Sequence, residues 1–311
     1  MSPVHPGPVV CLSYLAATSL WRVPVFPLAN HGAEVLAVEG SIAADAPMAA
    51  AVLSALDVPA LLLANDIGDD ASGAAVRGWL VRHGVNTTAM MTAGIFTPQI
   101  VVVADDDGTR TWFPYLPGVA DGLGALDLSA IAGASFVYID CYQLIEASAV
   151  RAIHAARATG VPLLINLGGS PLTPLVTAAL RGRQRLVVQT NVDDAAHRDA
   201  PQVAAELRVS TRAEWAVVTA GSGGVVAMSQ PRCIAVPAFQ AAVRHTHCAG
   251  AAFSGGLVYG LLHGWPMEKS LTFACASGAL RCERAHHEPM PTLDELHAFV
   301  GSRERISVSA A

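Results

Sequence analysis

Charge is scarce in this chain. Only 14% of its 311 residues are Asp, Glu, Lys or Arg, and they leave a formal net charge of −6. No basic tract occurs, which reads against a nucleic-acid binder and against recruitment to an anionic membrane. Met1-Ser2-Pro3-Val4-His5-Pro6 places no Lys or Arg ahead of its apolar run, so a secretory signal peptide is not expected. Long apolar runs are lacking too: each breaks at Asp, Arg or Gly well before the ~18 residues that span a bilayer. The six cysteines (Cys11, Cys141, Cys233, Cys248, Cys275, Cys282) are scattered and have no C-x-x-C spacing. That pattern predicts buried thiols in a reducing compartment rather than a disulfide framework, and a cytoplasmic location.

The chain is instead 52% hydrophobic, with much of that content Ala, which suits helices packed on a sheet. Its length allows one large α/β domain or two smaller ones. Short apolar runs at 9–15, 60–64, 136–139, 162–165, 186–189 and 216–219 read as strands. Helical patterns at 46–56, 71–82, 147–158 and 201–207 alternate with them. Strands apolar on both faces, alternating with helices, predict a parallel sheet covered on both sides. Two edge strands at 225–228 and 233–236 and two long helices at 249–263 and 267–284 complete the pattern. Residues 99–104, an Asp106-Asp107-Gly108 turn and Thr111-Trp112-Phe113 predict a β-hairpin. With 34–38 it would form a small sheet standing off the main body. No linker or repeat divides the chain, so residues 1–311 are expected as one domain, with a lid from segments near 18–40 and 95–118.

The stretch Thr246-His247-Cys248-Ala249-Gly250-Ala251-Ala252-Phe253-Ser254-Gly255-Gly256 runs small residues into a helix start. Free N–H groups and the positive end of the helix dipole make such a start an anion site. The stretch resembles the C-terminal signature of the ribokinase-like (PfkB) carbohydrate kinases, D-T-x-G-A-G-D-A-F-x-G-G. Other family motifs follow in order. Asn65-Asp66-Ile67-Gly68-Asp69-Asp70-Ala71-Ser72-Gly73 resembles V-G-D-D-x-x-G, and Gly84-Val85-Asn86-Thr87 follows at the family's distance. Residues 106–111 resemble the lid hairpin, Thr190-Asn191-Val192-Asp193-Asp194 resembles P-N-x-x-E, and Val218-Thr219-Ala220-Gly221-Ser222-Gly223-Gly224 resembles the T-x-G-x-x-G nucleotide loop.

The resemblance implies a ribokinase-like three-layer α/β sandwich with a mostly parallel sheet and a small β lid. It also implies a ligand site at the carboxyl ends of the strands. It assigns Ala249, Gly250 and Ala251 to an anion hole. Asn191, Asp194, Thr219, Gly221, Gly224 and Cys275 fall to ATP or ADP with Mg, and Thr18, Ala44 and Met48 to a sugar- or nucleoside-like substrate.

The departures cluster where chemistry would sit. Ala251 stands where the family carries its general-base Asp. Thr18 replaces a sugar-binding Asp. In the segment matching G-G-x-x-x-N, Ala43 and Ala44 replace the Gly pair and Met48 the Asn. Cys248 replaces a Gly, His245 an Asp, and Cys275 an adenine-lining Asn. Three readings follow: a pseudokinase that still binds ligands, an active kinase using another base such as His247 or carrying Ala251 as an engineered change, and an enzyme of different chemistry in the same pocket. Asn191 and Asp194 read equally well as an Asx turn capping the next helix. His245, His247 and Cys248 are soft metal ligands without an evident fourth partner, and no metal site is expected beyond the nucleotide's Mg. Trp112, Phe113 and Tyr115 need cover, which predicts a homodimer through the lids, as in several relatives.

Overall fold

The computed structural model describes residues 7–106, 110–182, 185–286 and 288–303. Among these the main sheet has nine strands. From one edge they run Cys233–Val236, Val225–Met228, Trp215–Thr219, Leu186–Asn191, Leu163–Asn166, Phe136–Asp140, Val9–Leu12, Ala60–Leu63 and Asn86–Thr87. All pairings are parallel from Trp215–Thr219 to Asn86–Thr87, and the two edge strands on the other side are antiparallel. Val9, Val10, Cys11 and Leu12 are all fully buried, as a strand covered on both faces must be. Helices Asp45–Ala55, Ala249–Leu262 and Met267–Glu283 pack on one face. Glu146–Thr159 and Pro174–Leu180 pack on the other. The fold is the expected three-layer α/β sandwich.

Helices Asp45–Ala55 and Ala249–Leu262 touch because of Gly255. A Cβ there would lie 2.8 Å from the Val52 Cβ and 3.1 Å from the Ala49 carbonyl, so only Gly permits this approach. The contact fixes the start of Ala249–Leu262 beside the segment that precedes Asp45.

The lid is a four-stranded sheet in the order Ala37–Ala43, Ala16–Arg22, Gln99–Ala104, Arg110–Tyr115. Two expectations are corrected here. The first strand ends at Leu12 rather than at 15, because Asn65 takes over the backbone of Leu15: the Leu15 N–H donates to Asn65 Oδ1 (2.9 Å) and Asn65 Nδ2 donates to the Leu15 carbonyl (3.1 Å). The chain thus leaves the main sheet and re-enters the lid at Ala16. The third lid segment is Ala37–Ala43 rather than 34–38, since Ala17 to Arg22 of the neighbouring strand pair with Ile42 to Ala37. The expected Asp107-Gly108 turn lies outside the described residues. Among those residues no helix is long and apolar enough to cross a membrane.

Candidate functional site

The helix Ala249–Leu262 begins over the carboxyl ends of the central strands. Ser254 fixes that height: its Oγ bonds Gln189 Nε2 at 2.9 Å and the Gly250 carbonyl one turn earlier at 3.0 Å. Ala249 N–H donates to the Thr246 carbonyl and Ala252 N–H to the Cys248 carbonyl, while among the described residues no acceptor meets the N–H of Gly250 or Ala251. Gly250 is exposed and the Ala251 methyl is fully buried. The start therefore offers two free donors and the positive end of a fourteen-residue helix. Cys248, the N-cap, sits at φ 62°, ψ 15°, left-handed although it is not Gly. Burial pushes its thiol up to about 12, so it is protonated at neutral pH.

Asn191, Asp194, Thr219, Gly221 and Gly224 gather at the ends of Leu186–Asn191 and Trp215–Thr219. Asp194 is committed to the glycine turn, since its Oδ2 accepts from the Ser222 N–H (3.1 Å) and the Ser222 hydroxyl (2.8 Å). Gly221, at φ 50°, lies so close that a Cβ would overlap Asp194 Oδ1. Asn191 is exposed and faces the Cα of Gly169. The Thr219 hydroxyl donates to the Thr190 carbonyl at 3.5 Å. Cys275 is half-buried against the core on Met267–Glu283.

At the substrate end the expected residues separate. Met48 is fully buried in the core and Thr18 faces inward from the lid, 4% exposed. Ala44 holds φ 74°, ψ 161°, a region that is essentially Gly-only. The backbone has thus kept a glycine conformation that its side chain resists. Sequence reading missed the acids beside it. Asp140 is fully buried at the end of Phe136–Asp140, where its Oδ2 accepts from the N–H groups of Asp45 (3.0 Å) and Ala46 (2.8 Å), and its Oδ1 from the Tyr138 hydroxyl (2.9 Å). It caps the helix Asp45–Ala55, which has no side-chain cap of its own. Asn166 Nδ2 donates to Asp45 Oδ2 at 2.8 Å. Burial, then the charge of Asp45, raises Asp140 to about 7. Burial likewise raises Asp45, against hydrogen bonds from Tyr142 and Asn166 and the nearby charge of Arg110. The available signal was a polar residue closing an apolar parallel strand, as in Phe136-Val137-Tyr138-Ile139-Asp140 and Leu163-Leu164-Ile165-Asn166.

Beside the helix start lies a cluster of histidines. The rings of His245 and His286 stack at 3.8 Å, with His247 edge-on to His286 at 5.4 Å. His245 Nε2 donates to the Arg284 carbonyl at 2.6 Å. The His247 ring donates to the backbone of Ile42, leaving its Nε2 buried and without a partner. Burial, then Arg281 and Arg110, hold His245 down to about 4, and burial, then Arg110 and Arg281, hold His247 to about 3. Among the described residues no three His, Cys, Asp or Glu side chains are placed to hold a metal ion. On the outer lid, Trp112, Phe113 and Tyr115 are 56%, 51% and 66% exposed.

Residues 49–293 match the pfkB family of carbohydrate kinases. The chain belongs to this family. A 5-dehydro-2-deoxygluconokinase of Geobacillus thermodenitrificans is 27% identical over 108 residues, which are 34% of this chain and 32% of that one. The match thus spans about a third of that relative's length. The PfkB fold recurs in the ribokinase of Arabidopsis thaliana complexed with ribose and ATP (19% identity, TM-score 0.75, 94% of this chain and 98% of that one). It recurs again in the nucleoside kinase of Methanocaldococcus jannaschii (17% identity, TM-score 0.78, 96% and 99%).

Proposed function

We propose that this PfkB-family chain binds ATP or ADP against the Gly250 and Ala251 N–H groups and a sugar- or nucleoside-like ligand beneath the lid. Transfer of phosphate to the ligand's hydroxyl is lost or strongly reduced. The observation that carries this reading is Ala251: a buried methyl occupies the first helical turn where the family's motif supplies a carboxylate. Losing a general base lowers the rate by about 10²–10⁴. Phosphoryl transfer depends mostly on positioning and charge neutralisation, and the free N–H pair and the Gly221–Gly224 turn fit that residual task. Asn191 and Asp194 are the groups that would hold Mg²⁺ through water, and the ion would neutralise phosphate charge when bound. Support for the ligand classes comes from relatives: one solved ribokinase holds ribose and ATP, another neighbour is a nucleoside kinase, and a curated relative is a 5-dehydro-2-deoxygluconokinase. The exposed Trp112, Phe113 and Tyr115 favour a homodimer joined through the lids.

One observation favours an active kinase instead. His247 Nε2 is an unpartnered acceptor four residues before Ala251, and the other ring nitrogen is fixed on Ile42. That is how a hydroxyl-accepting imidazole is held. A thermal-shift panel with ATP and ADP, each with and without Mg²⁺, tests the binding half. Ligand at about 100 times Kd adds roughly 2.7 kcal/mol, and a flat response to every adenine and guanine nucleotide at millimolar concentration rejects it. A coupled turnover assay over hexoses, pentoses and nucleosides tests the rest. Strong wild-type turnover that disappears in His247→Gln establishes the active kinase.

A further inference from the structure

A cavity of about 330 Å³ opens at the amino ends of the parallel strands, the opposite end of the sheet from Asp140, Asn191 and Thr219. The strands Phe136–Asp140, Leu186–Asn191 and Trp215–Thr219 are five, six and five residues long, so they hold it about 15–20 Å from the candidate site. Phe136, Val187 and Trp215 line it from the starts of those strands. Leu261, Leu262 and Trp265 wall it from the end of the helix Ala249–Leu262 and the turn beyond. That wall is fixed. The Trp265 N–H donates to the Gly260 carbonyl at 3.0 Å, Lys269 Nζ stands 3.8 Å from the centre of its ring, and Phe273 meets the ring edge-on at 5.3 Å.

Three charged residues share the lining: Arg185, Glu214 and Arg232. Among the described residues none of them forms an ion pair. The backbones of the first two are tied to the sheet, since the Leu163 N–H donates to the Arg185 carbonyl at 3.1 Å and the Glu214 N–H to the Leu186 carbonyl at 2.9 Å. Arg185 is held there at φ 54°, a left-handed conformation that strains a residue other than Gly. The Arg232 guanidinium lies 5.3 Å from the centre of the Trp215 ring, which fixes it at the rim by cation–π attraction. Fixed apolar walls with a few converging charges are the make-up of a preformed small-molecule site, and the volume falls at the small end of such sites. Two guanidiniums against one carboxylate favour an anion. The single Glu sets a like charge against a dianion such as a phosphate ester.

We infer that this cavity is a second ligand site, for a monocarboxylate with an apolar body about the size of a phenyl group. The carboxylate lies toward Arg185 and Arg232, and the body packs on Leu261, Leu262 and Trp265. The site shares only the helix Ala249–Leu262 with the phosphate end, so it rests on neither the nucleotide reading nor the reading of a ligand beneath the lid.

Titration calorimetry of the full chain with 3-phenylpropionate, L-phenylalanine, 3-phenylpropanol and acetate tests it. At least one of the two aromatic acids is expected to bind about tenfold or more tightly than the alcohol and than acetate, the size of one charge-assisted hydrogen bond. Preference for L-phenylalanine that disappears in Glu214→Gln assigns Glu214 to an ammonium group, and preference for 3-phenylpropionate assigns the site to simple acids. Arg185→Gln with Arg232→Gln, both at exposed positions, should remove the advantage over the alcohol while changing ADP affinity by less than about twofold. Leu262→Trp should fill the cavity and abolish binding of both acids where it folds. The inference is overturned if neither acid binds at millimolar concentration, if the alcohol or acetate matches the better acid, or if the double arginine variant keeps the preference. It is also overturned if saturating ADP or D-ribose displaces the acid competitively, which would put the acid beneath the lid. Absence of an ADP response in the wild type would refute nucleotide binding alone, because the acid-to-alcohol ratio is read without nucleotide.

Discussion

Replacing Ala44 by Gly should stabilise the protein, although it removes a side chain. Ala44 lies at φ 74°, ψ 161°, where a Cβ is strained by about 1–3 kcal/mol. Two terms oppose the gain. The unfolded chain becomes freer by about 0.4–1 kcal/mol, and a half-buried methyl loses no more than about 0.8 kcal/mol of transfer energy. The expected balance is about 1 kcal/mol of stabilisation, or roughly 2 °C in Tm for a chain of this length. Urea unfolding should show a higher midpoint at an unchanged slope, so that the change is one of stability and not of compactness. Ala43→Gly is the control. Ala43 is buried and has no positive φ, so the same chemical change should destabilise by about 1 kcal/mol. If both variants lose stability equally, Ala44 does not hold a glycine conformation, and the argument that this backbone outlived its glycines fails.

Other outcomes follow from the same site. Ala251→Asp should give little rescue of turnover on common sugars, because Thr18, Ala43, Ala44 and Met48 do not offer the groups that orient a polyol in the family's motifs; robust rescue in a coupled assay would show an intact substrate site. Trp112→Asp should convert a dimer to a monomer by light scattering, and a wild type already monomeric at micromolar concentration refutes the lid interface. His247 is held to about 3, so below about 6.5 the unfolded chain binds a proton that the folded chain refuses. Its contribution is intact above 6.5 and is lost as pH falls. His247→Gln should therefore spare up to about 2 kcal/mol of the stability lost between pH 7 and 5, measured by urea midpoints. Identical acid limbs would show that the imidazole is not buried neutral.

The parallel sheet was legible because burial on both faces leaves almost only apolar residues in runs such as 136–139 and 162–165. The long helix Ala249–Leu262 was legible through its small residues. Strand limits were not, because they depend on partners distant in sequence. Asn65 ends the first strand by bonding Leu15, and nothing local to 9–15 reports that. At Cys248 the sequence shows only the replacement of a motif Gly, and the structure supplies φ 62°. Family motifs directed attention to Thr18, Ala44 and Met48, whereas the buried acids Asp45 and Asp140 were overlooked. Each acid becomes meaningful only when sheet and helix meet. The histidine cluster was half visible: His245 and His247 are neighbours in sequence, but His286 joins them across the turn after Met267–Glu283.

The cap that Asp140 provides bears on the order of assembly. The groups it joins are about ninety-five residues apart, so the first turn of Asp45–Ala55 has no side-chain partner until Phe136–Asp140 is in place. Loop closure over that span is slow compared with forming a local turn. The chain must therefore thread the lid strands Gln99–Ala104 and Arg110–Tyr115 and the helix Ala71–Arg82 before the helix that precedes them can be secured. In native-state hydrogen exchange, the amides of Asp45 and Ala46 should open together with the strand Phe136–Asp140 rather than fray with their own helix.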